Sequence, residues 1–128
     1  MERSRLLDAQ VQAKRIYNLL GEVMDLSRQL AEAVDRNDQV SVQMLLAMRE
    51  DPIQGLTAAR AALKQQIESA PPEDAGRLQE LLNGSPAKTS EESGLADQAA
   101  ANERLLRQVQ ELDKALSKKI ARDKSFYQ

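Results

Sequence analysis

The residue types that most often carry catalysis are missing from this sequence. Its 128 residues include no His and no Cys, which excludes the usual zinc, haem and thiol–imidazole sites. Ser27, Ser41 and Ser117 therefore lack an imidazole base, and no motif supports a Ser–Lys pair. The five glycines are isolated and cannot form a phosphate-binding loop. We expect no enzymatic activity, no cofactor and no metal site.

The acidic side chains of the first half of the chain have a structural explanation. Glu22, Asp25 and Glu32 are spaced to pair with Arg28 or Arg36 on one helix face. Ion pairs of this kind usually lie on the solvated surface and contribute little to stability. We interpret these carboxylates as surface residues rather than as an acid–base pair.

The charge balance gives no general attraction for nucleic acid. The net charge is −2, from 18 basic and 20 acidic residues, and no basic stripe is interleaved with stacking aromatics. Basic residues do collect near the end of the chain. They either favour the C-terminus of a helix through its dipole or form a surface for an anionic partner. These bases are Lys114, Lys118, Lys119, Arg122 and Lys124.

No segment resembles a membrane anchor or a secretory signal. No stretch approaches the roughly 18 apolar residues of a membrane span, and the first residues, Met1-Glu-Arg-Ser-Arg, lead into a charged amphipathic pattern. We expect a cytoplasmic protein that does not insert into membranes.

Composition and periodicity predict an all-α protein. Its apolar residues are mostly Leu and Ala, which favour helices, and its only aromatic residues are Tyr17, Phe126 and Tyr127. A first helix over 4–36 follows from a heptad in which eight of nine positions are apolar. The nine positions are Leu6, Ala9, Ala13, Ile16, Leu20, Val23, Ser27, Leu30 and Val34.

A second helix is predicted over 39–69, after a turn in which Asp38 can cap it. Pro52 interrupts this segment, because its ring clashes with the preceding turn and it has no N–H to donate. We expect a bent, nearly continuous helix with its kink near Pro52. The alternative is that Asp51 caps a fresh helix with Pro52 in its first turn.

The connector over 70–92 is predicted to hold a short extra helix from Pro72 to Leu82. Residues 85–92 are rich in Ser, Thr, Pro and acids and are typical of a mobile loop. Thr89-Ser90-Glu91-Glu92 provides a capping box for a third long helix over 93–127. The matched lengths of the three long segments predict an antiparallel bundle in one domain, 1–128, in which the third helix is tethered only by the long connector.

Two residues inside the predicted helices are of types that are unusual at their positions. Gly21 lies within the first helix, where it costs about 1 kcal/mol relative to Ala, so we expect a close helix approach there. Asn102 falls on the seam of the third helix, where a polar residue often fixes the register of packing.

Apolar surface is the feature that points to a function. Met44 and Met48 offer adaptable contacts to a partner, although methionines also fill gaps in a core. Phe126 and Tyr127 place two of the three aromatic residues at the end of the chain. They either fold back onto the turn near Asn37 or belong to a binding surface.

Two stretches resemble the FlgN-type flagellar export chaperones, a family of small helical proteins. The first is similar to a short turn followed by a helix with paired leucines and an arginine. It comprises Asn37-Asp38, Leu45-Leu46, Arg49, Ile53 and Leu56. The second is similar to the family's third helix. It comprises Asn102, Leu105-Leu106 and the leucines that lead to Phe126-Tyr127.

The resemblance implies a type III export chaperone that binds amphipathic C-terminal helices of hook-associated proteins and keeps these clients soluble. The connector with its double proline departs from the family. The alternative is a coiled-coil or adaptor protein that self-associates, for example as a homodimer, through its apolar stripes. In the family the client binds the C-terminal helix, which here corresponds to Leu105, Leu106, Val109, Leu112, Leu116 and Ile120.

Overall fold

The computed structural model describes residues 1–122, which are all-helical and contain no strand, as the composition predicts. Within this part of the chain, the helices are α1 (Arg3–Asp35), α2 (Gln39–Met48), α3 (Glu50–Glu68), α4 (Pro72–Leu82) and α5 (Ser90–Arg122). The predicted continuation of the last helix to residue 127 lies outside the described residues.

The buried face of α1 follows the predicted heptad closely. Eight of the nine predicted positions are buried, and only the last differs, because Ala33 is buried where Val34 was expected. Ala33 and Val34 both belong to the cluster that packs the end of α1 against Val42 and Leu45 of α2. The buried face of α1 is therefore wider where it meets α2.

The turn between α1 and α2 is held by residues with local hydrogen-bonding roles. Asn37 has a positive φ of 57°, a conformation that Asn tolerates better than most residues. The Asp38 carboxylate accepts hydrogen bonds from the Ser41 hydroxyl (2.7 Å) and the Ser41 backbone N–H (3.1 Å). These bonds lower the pKa of Asp38 and confirm its predicted role as the cap of α2.

The helix interruption lies at Arg49 rather than at Pro52. Arg49 has helical dihedral angles (φ −69°, ψ −20°), and the N–H of Ile53 donates to its carbonyl (3.2 Å). Pro52 is the third residue of α3, where a missing N–H leaves no hydrogen bond broken. The chain therefore passes nearly continuously from α2 into α3. Pro52 lies in the first turn of α3, as the alternative has it, but Asp51 lies inside this helix and does not cap it, because the N-cap is Arg49.

The connector is shorter than predicted, and hydrogen bonds attach it to α4 and α5. Helix α5 begins at Ser90, three residues before the predicted start, because the Thr89 hydroxyl accepts from the Glu92 N–H (3.2 Å). Only this half of the capping box forms. The Glu92 carboxylate accepts from the Lys88 N–H (2.8 Å) and from Arg77 instead. Residues 90–92, predicted to belong to the loop, are therefore the first turn of α5, and the loop is limited to residues 85–89.

The core consists of three apolar clusters along α1. Leu6 packs with α4 and with Leu95 of α5, whereas Leu30 packs with α2 and with Leu116 of α5. Helix α5 therefore runs parallel to α1, and the α2–α3 segment runs antiparallel to it. The middle cluster joins Ile16, Leu20, Val23, Leu56, Ala59 and Val109.

Close approaches at glycine occur elsewhere than predicted. A Cβ atom on Gly21 would have nothing within 4 Å, so the expected close approach there is wrong. A Cβ on Gly94 would lie 2.6 Å from the Gln10 side chain, and one on Gly55 would lie 3.0 Å from Leu19. The glycines that permit close packing are thus in α5 and α3, and both face α1.

Candidate functional site

A groove lies between α3 and α5. Both helices pack extensively on α1, but their own backbones hardly approach each other. The gap contains a cavity of about 410 Å³. A second cavity, of about 530 Å³ on the α3–α4 side, shares four lining residues with it: Arg60, Leu63, Leu82 and Asn83. The lining residues are Ala13, Ile16, Leu20, Arg60, Leu63, Leu82, Asn83, Ala99, Asn102, Glu103 and Leu106.

The lining is apolar at the bottom and charged at the rims. Ile16 and Leu20 of α1 belong to the buried core beneath the groove, and Leu63 and Leu106 are partly buried against it. Arg60 lies on the α3 side and Glu103 on the α5 side. Glu103 pairs with Arg107 (2.6 Å). This arrangement suits an amphipathic helix whose apolar face enters the groove.

Asn102 anchors the α5 side of the groove to α1. Its Nδ2 donates to the backbone carbonyl of Ala13 (2.8 Å), and its Oδ1 accepts from Gln98 Nε2 (3.0 Å). Both polar ends of the amide are thereby satisfied where the side chain is partly buried. The contact fixes one axial position of α5 on α1, as predicted for a polar seam residue.

An ion pair joins the junction of α2 and α3 to α5, outside the residues that line the groove. Arg49 Nη2 lies 2.7 Å from Asp113 Oδ1, and the Arg49 side chain is only 14% exposed. Since Arg49 stands at the helix interruption, this bond ties the α2–α3 junction to α5. It limits how far α3 and α5 can separate at this end.

The opposite end is closed by α4 and a denser polar cluster. Arg77 donates to both carboxylate oxygens of Glu92 (2.9 and 2.6 Å), to Glu80 and to the carbonyl of Pro86. The hydrogen bonds from Arg77 and from the Lys88 N–H lower the pKa of Glu92 to about 2, and Glu92 in turn raises the pKa of Arg77. Sequence reasoning missed this pair, because 15 residues separate its members.

The residues predicted to bind a partner fall into four groups. Val109, Leu116 and Ile120 are buried in the core, and Leu105 and Leu112 are partly buried against it. Leu106 lines the groove, whereas Met44 and Met48 lie exposed on α2. Phe126 and Tyr127 lie outside the described residues. Of the predicted partner-binding residues that the structure describes, only Leu106 lines the groove, together with side chains from α1, α3 and α4 that the sequence did not indicate as binding residues.

The serines considered as possible nucleophiles have structural roles where the structure places them. Ser27 is fully buried and Ser41 bonds to Asp38. Within residues 1–122 there is no cluster of three or more side chains that could hold a metal ion, and no helix is long and apolar enough to cross a membrane. Comparison with protein-family models, with curated proteins and with solved structures found no match.

Proposed function

We propose that this protein binds an amphipathic helix of another protein in the groove between α3 and α5. The observation that carries the proposal is the groove wall formed by Leu63 and Leu106, which are partly exposed above the buried side chains of Ile16 and Leu20. Burial of apolar surface would drive binding. Helix-in-groove recognition needs such a wall, with polar rims that orient the ligand.

The rims favour a particular charge pattern in the bound helix. Arg60 has no ion-pair partner among residues 1–122. It would therefore attract acidic side chains on the flank of the bound helix, beside that helix's apolar face. Glu103 on the opposite rim is already paired with Arg107 (2.6 Å). The charge preference of the groove therefore comes from Arg60, which favours an acidic flank.

The biological role that fits this activity is that of a flagellar type III export chaperone. The support is the resemblance of the two leucine-rich stretches to the FlgN-type family, together with the groove. In this role the protein works in the cytoplasm, keeps hook-associated clients soluble and delivers their C-terminal helices for export. Its scaffold is an antiparallel bundle of three long helices, and no catalytic step is required.

The proposal differs from the family expectation in the surface that is used. Val109, Leu116 and Ile120 are buried, so a client could reach them only if α5 left α1. The Arg77–Glu92 cluster, the Arg49–Asp113 pair and Asn102 all hold α5 in place. Docking beside α5, over Leu106, requires none of these contacts to break.

Isothermal titration with C-terminal helix peptides of hook-associated proteins tests the proposal. Leu63→Glu and Leu106→Glu each introduce a carboxylate into the groove, and we expect at least a tenfold loss of affinity, about 1.4 kcal/mol. Leu7→Glu is the matched control, since Leu7 is 48% exposed and lies outside the groove. No binding by the folded wild-type protein, or equal losses in all three variants, would contradict the proposal.

A self-associating adaptor is the second candidate. The observation that favours it is an uncovered apolar face on α2, where Met44 and Met48 are exposed. This face is distinct from the groove, so self-association and client binding do not compete for the same surface.

A further inference from the structure

The outward side of α5 is lined with basic residues. Between residues 104 and 122, six exposed positions recur at intervals of three or four residues, so they lie on one side of the helix. This side is opposite to the one on which Val109 and Leu116 enter the core. Five of the six positions are basic and one is acidic. We call this surface the basic face, and it comprises Arg104, Arg107, Glu111, Lys114, Lys118 and Arg122.

Most of these cations take no part in holding the fold together. Arg107 pairs with Glu103 on the same helix (2.6 Å), but the other four have no ion-pair partner among residues 1–122. Lys119, which is not on the basic face, differs from them because it bonds to Asp35 of α1 (2.8 Å). Lys124 lies outside the described residues. The basic face is therefore a row of largely unneutralised positive charge.

The helix dipole accounts for only one end of this row. Its effect on charged side chains is confined to the first and last turns of a helix. In α5 the last turn holds Lys119 and Arg122, whereas Lys114 lies about two turns, and Arg104 about five turns, before the end of the helix. These cations collect on one face of a chain whose net charge is −2. Such segregation of one sign indicates an anionic partner.

The shape of the basic face suits a single helix better than a broad polyanion. The face runs along one helix for about 27 Å and is one row of side chains wide. Glu111 interrupts it and Glu103 borders it, so the phosphates of a membrane or of nucleic acid would also meet these carboxylates. The face has no aromatic residue on which bases could stack. The apolar side of α5 is buried in the core, so it is not free to enter a lipid interface.

We propose that the basic face of α5 binds an acidic helix of a partner protein, which lies alongside α5. Intervals of three and four residues are those of positions that meet along two packed helices. A partner with acids at the same intervals therefore places carboxylates beside the cations. The contact is exposed and electrostatic, so binding is weak and falls as salt is added. The face is centred roughly 120° around α5 from Leu106, so it does not depend on the groove.

Two synthetic helical peptides of equal net charge test the proposal. In the patterned peptide, glutamates recur at intervals of three and four residues on one face, and in the scattered peptide the same number of glutamates is spread around the helix. Fluorescence anisotropy at low salt should show that the full chain binds the patterned peptide at least about fivefold more tightly. Equal affinities would overturn the proposal, because a general attraction between opposite charges does not depend on the pattern.

Charge reversal locates the binding on α5. Lys118→Glu should weaken binding of the patterned peptide by about threefold or more, since it replaces one attraction by a repulsion. Lys64→Glu is the matched control, because it changes the net charge by the same amount at an exposed position of α3 (79%), and its loss should be clearly smaller. Equal losses in the two variants would show that net charge alone governs binding and would contradict the proposal.

Other polyanions and the groove are tested with the same variants. If single-stranded DNA or phosphatidylserine vesicles bind more tightly than the patterned peptide, and Lys118→Glu weakens that binding, the face belongs to nucleic acid or to a membrane and the proposal is overturned. Leu63→Glu, in the groove, should leave binding of the patterned peptide unchanged. Lys118→Glu should leave binding of the hook-associated peptides unchanged, so failure of the groove proposal and failure of this one are distinguishable.

Discussion

The two ends of α5 are attached by polar contacts of very different quality. At its start, Arg77 and Glu92 form a bidentate pair whose side chains are 14% and 11% exposed. At its end, Lys119 and Asp35 form one contact of 2.8 Å between side chains that are 41% and 62% exposed. Exposed pairs contribute little, because water and side-chain entropy offset the attraction. Both ends of α5 are packed in the apolar core, through Leu95 at the start and Leu116 at the end. In polar contacts, the start of α5, next to the connector, is the more firmly fixed end.

This difference changes the expected mode of client binding. A helix held only by a long tether could leave its bundle and exchange partners. Instead, the connector forms α4, and Arg77 of α4 fixes the first turn of α5. The groove beside α5 is thus already formed in the free protein, and binding in a preformed groove avoids the cost of rearranging the core.

The largest effect is expected from the apolar contact at the firmly fixed end. Leu95 is fully buried with Leu78 and Leu81, so Leu95→Ala should lower the free energy of unfolding by about 2–5 kcal/mol in urea titrations. Leu7→Ala is the control, and it should change this free energy by about 0.5 kcal/mol or less. Equal values for the two variants would mean that the start of α5 is not packed as described.

A smaller loss of stability is expected from Arg77→Ala. This change leaves the Glu92 carboxylate without its main partner in a largely buried position. Thermal unfolding followed by circular dichroism should show a lower Tm than wild type, with a shift between those of Leu95→Ala and Lys119→Ala. An unchanged Tm would show that the pair is stabilising neither the connector nor α5.

The same pair predicts a specific pH dependence. The pKa of Glu92 is lowered from 4.5 to about 2 in the folded protein. The stabilisation is therefore fully present above about pH 4.5 and is lost as the pH falls towards 2. Glu92→Gln should remove this component, so the difference in unfolding free energy between wild type and variant should shrink over that interval. A constant difference would contradict the assignment.

The smallest effect is expected at the other end of α5. Lys119→Ala breaks the exposed pair with Asp35 and should change the free energy of unfolding by about 1 kcal/mol or less. Urea titration at low and high salt is the measurement. A loss as large as that of Arg77→Ala would reverse the ranking of the two ends.

Local features of the fold were predictable, because they depend on residues close in sequence. The heptad of α1 identified eight buried positions, and Asp38 was recognised as a cap from its place before a helix. The groove was not predictable, because periodicity indicates which face of a helix is buried but not which helices share a boundary. For the same reason, the sequence does not indicate the close approaches at Gly55 and Gly94, and its prediction of one at Gly21 is wrong.

Hydrogen exchange with and without a bound client peptide tests the central claim most directly. If the peptide docks in a preformed groove, the backbone amides of α5 around Val109 and Leu116 keep their protection, and the peptide's own amides become protected. If the client instead replaces α5 on α1, these α5 amides exchange faster when the peptide is bound, and this result would contradict the account.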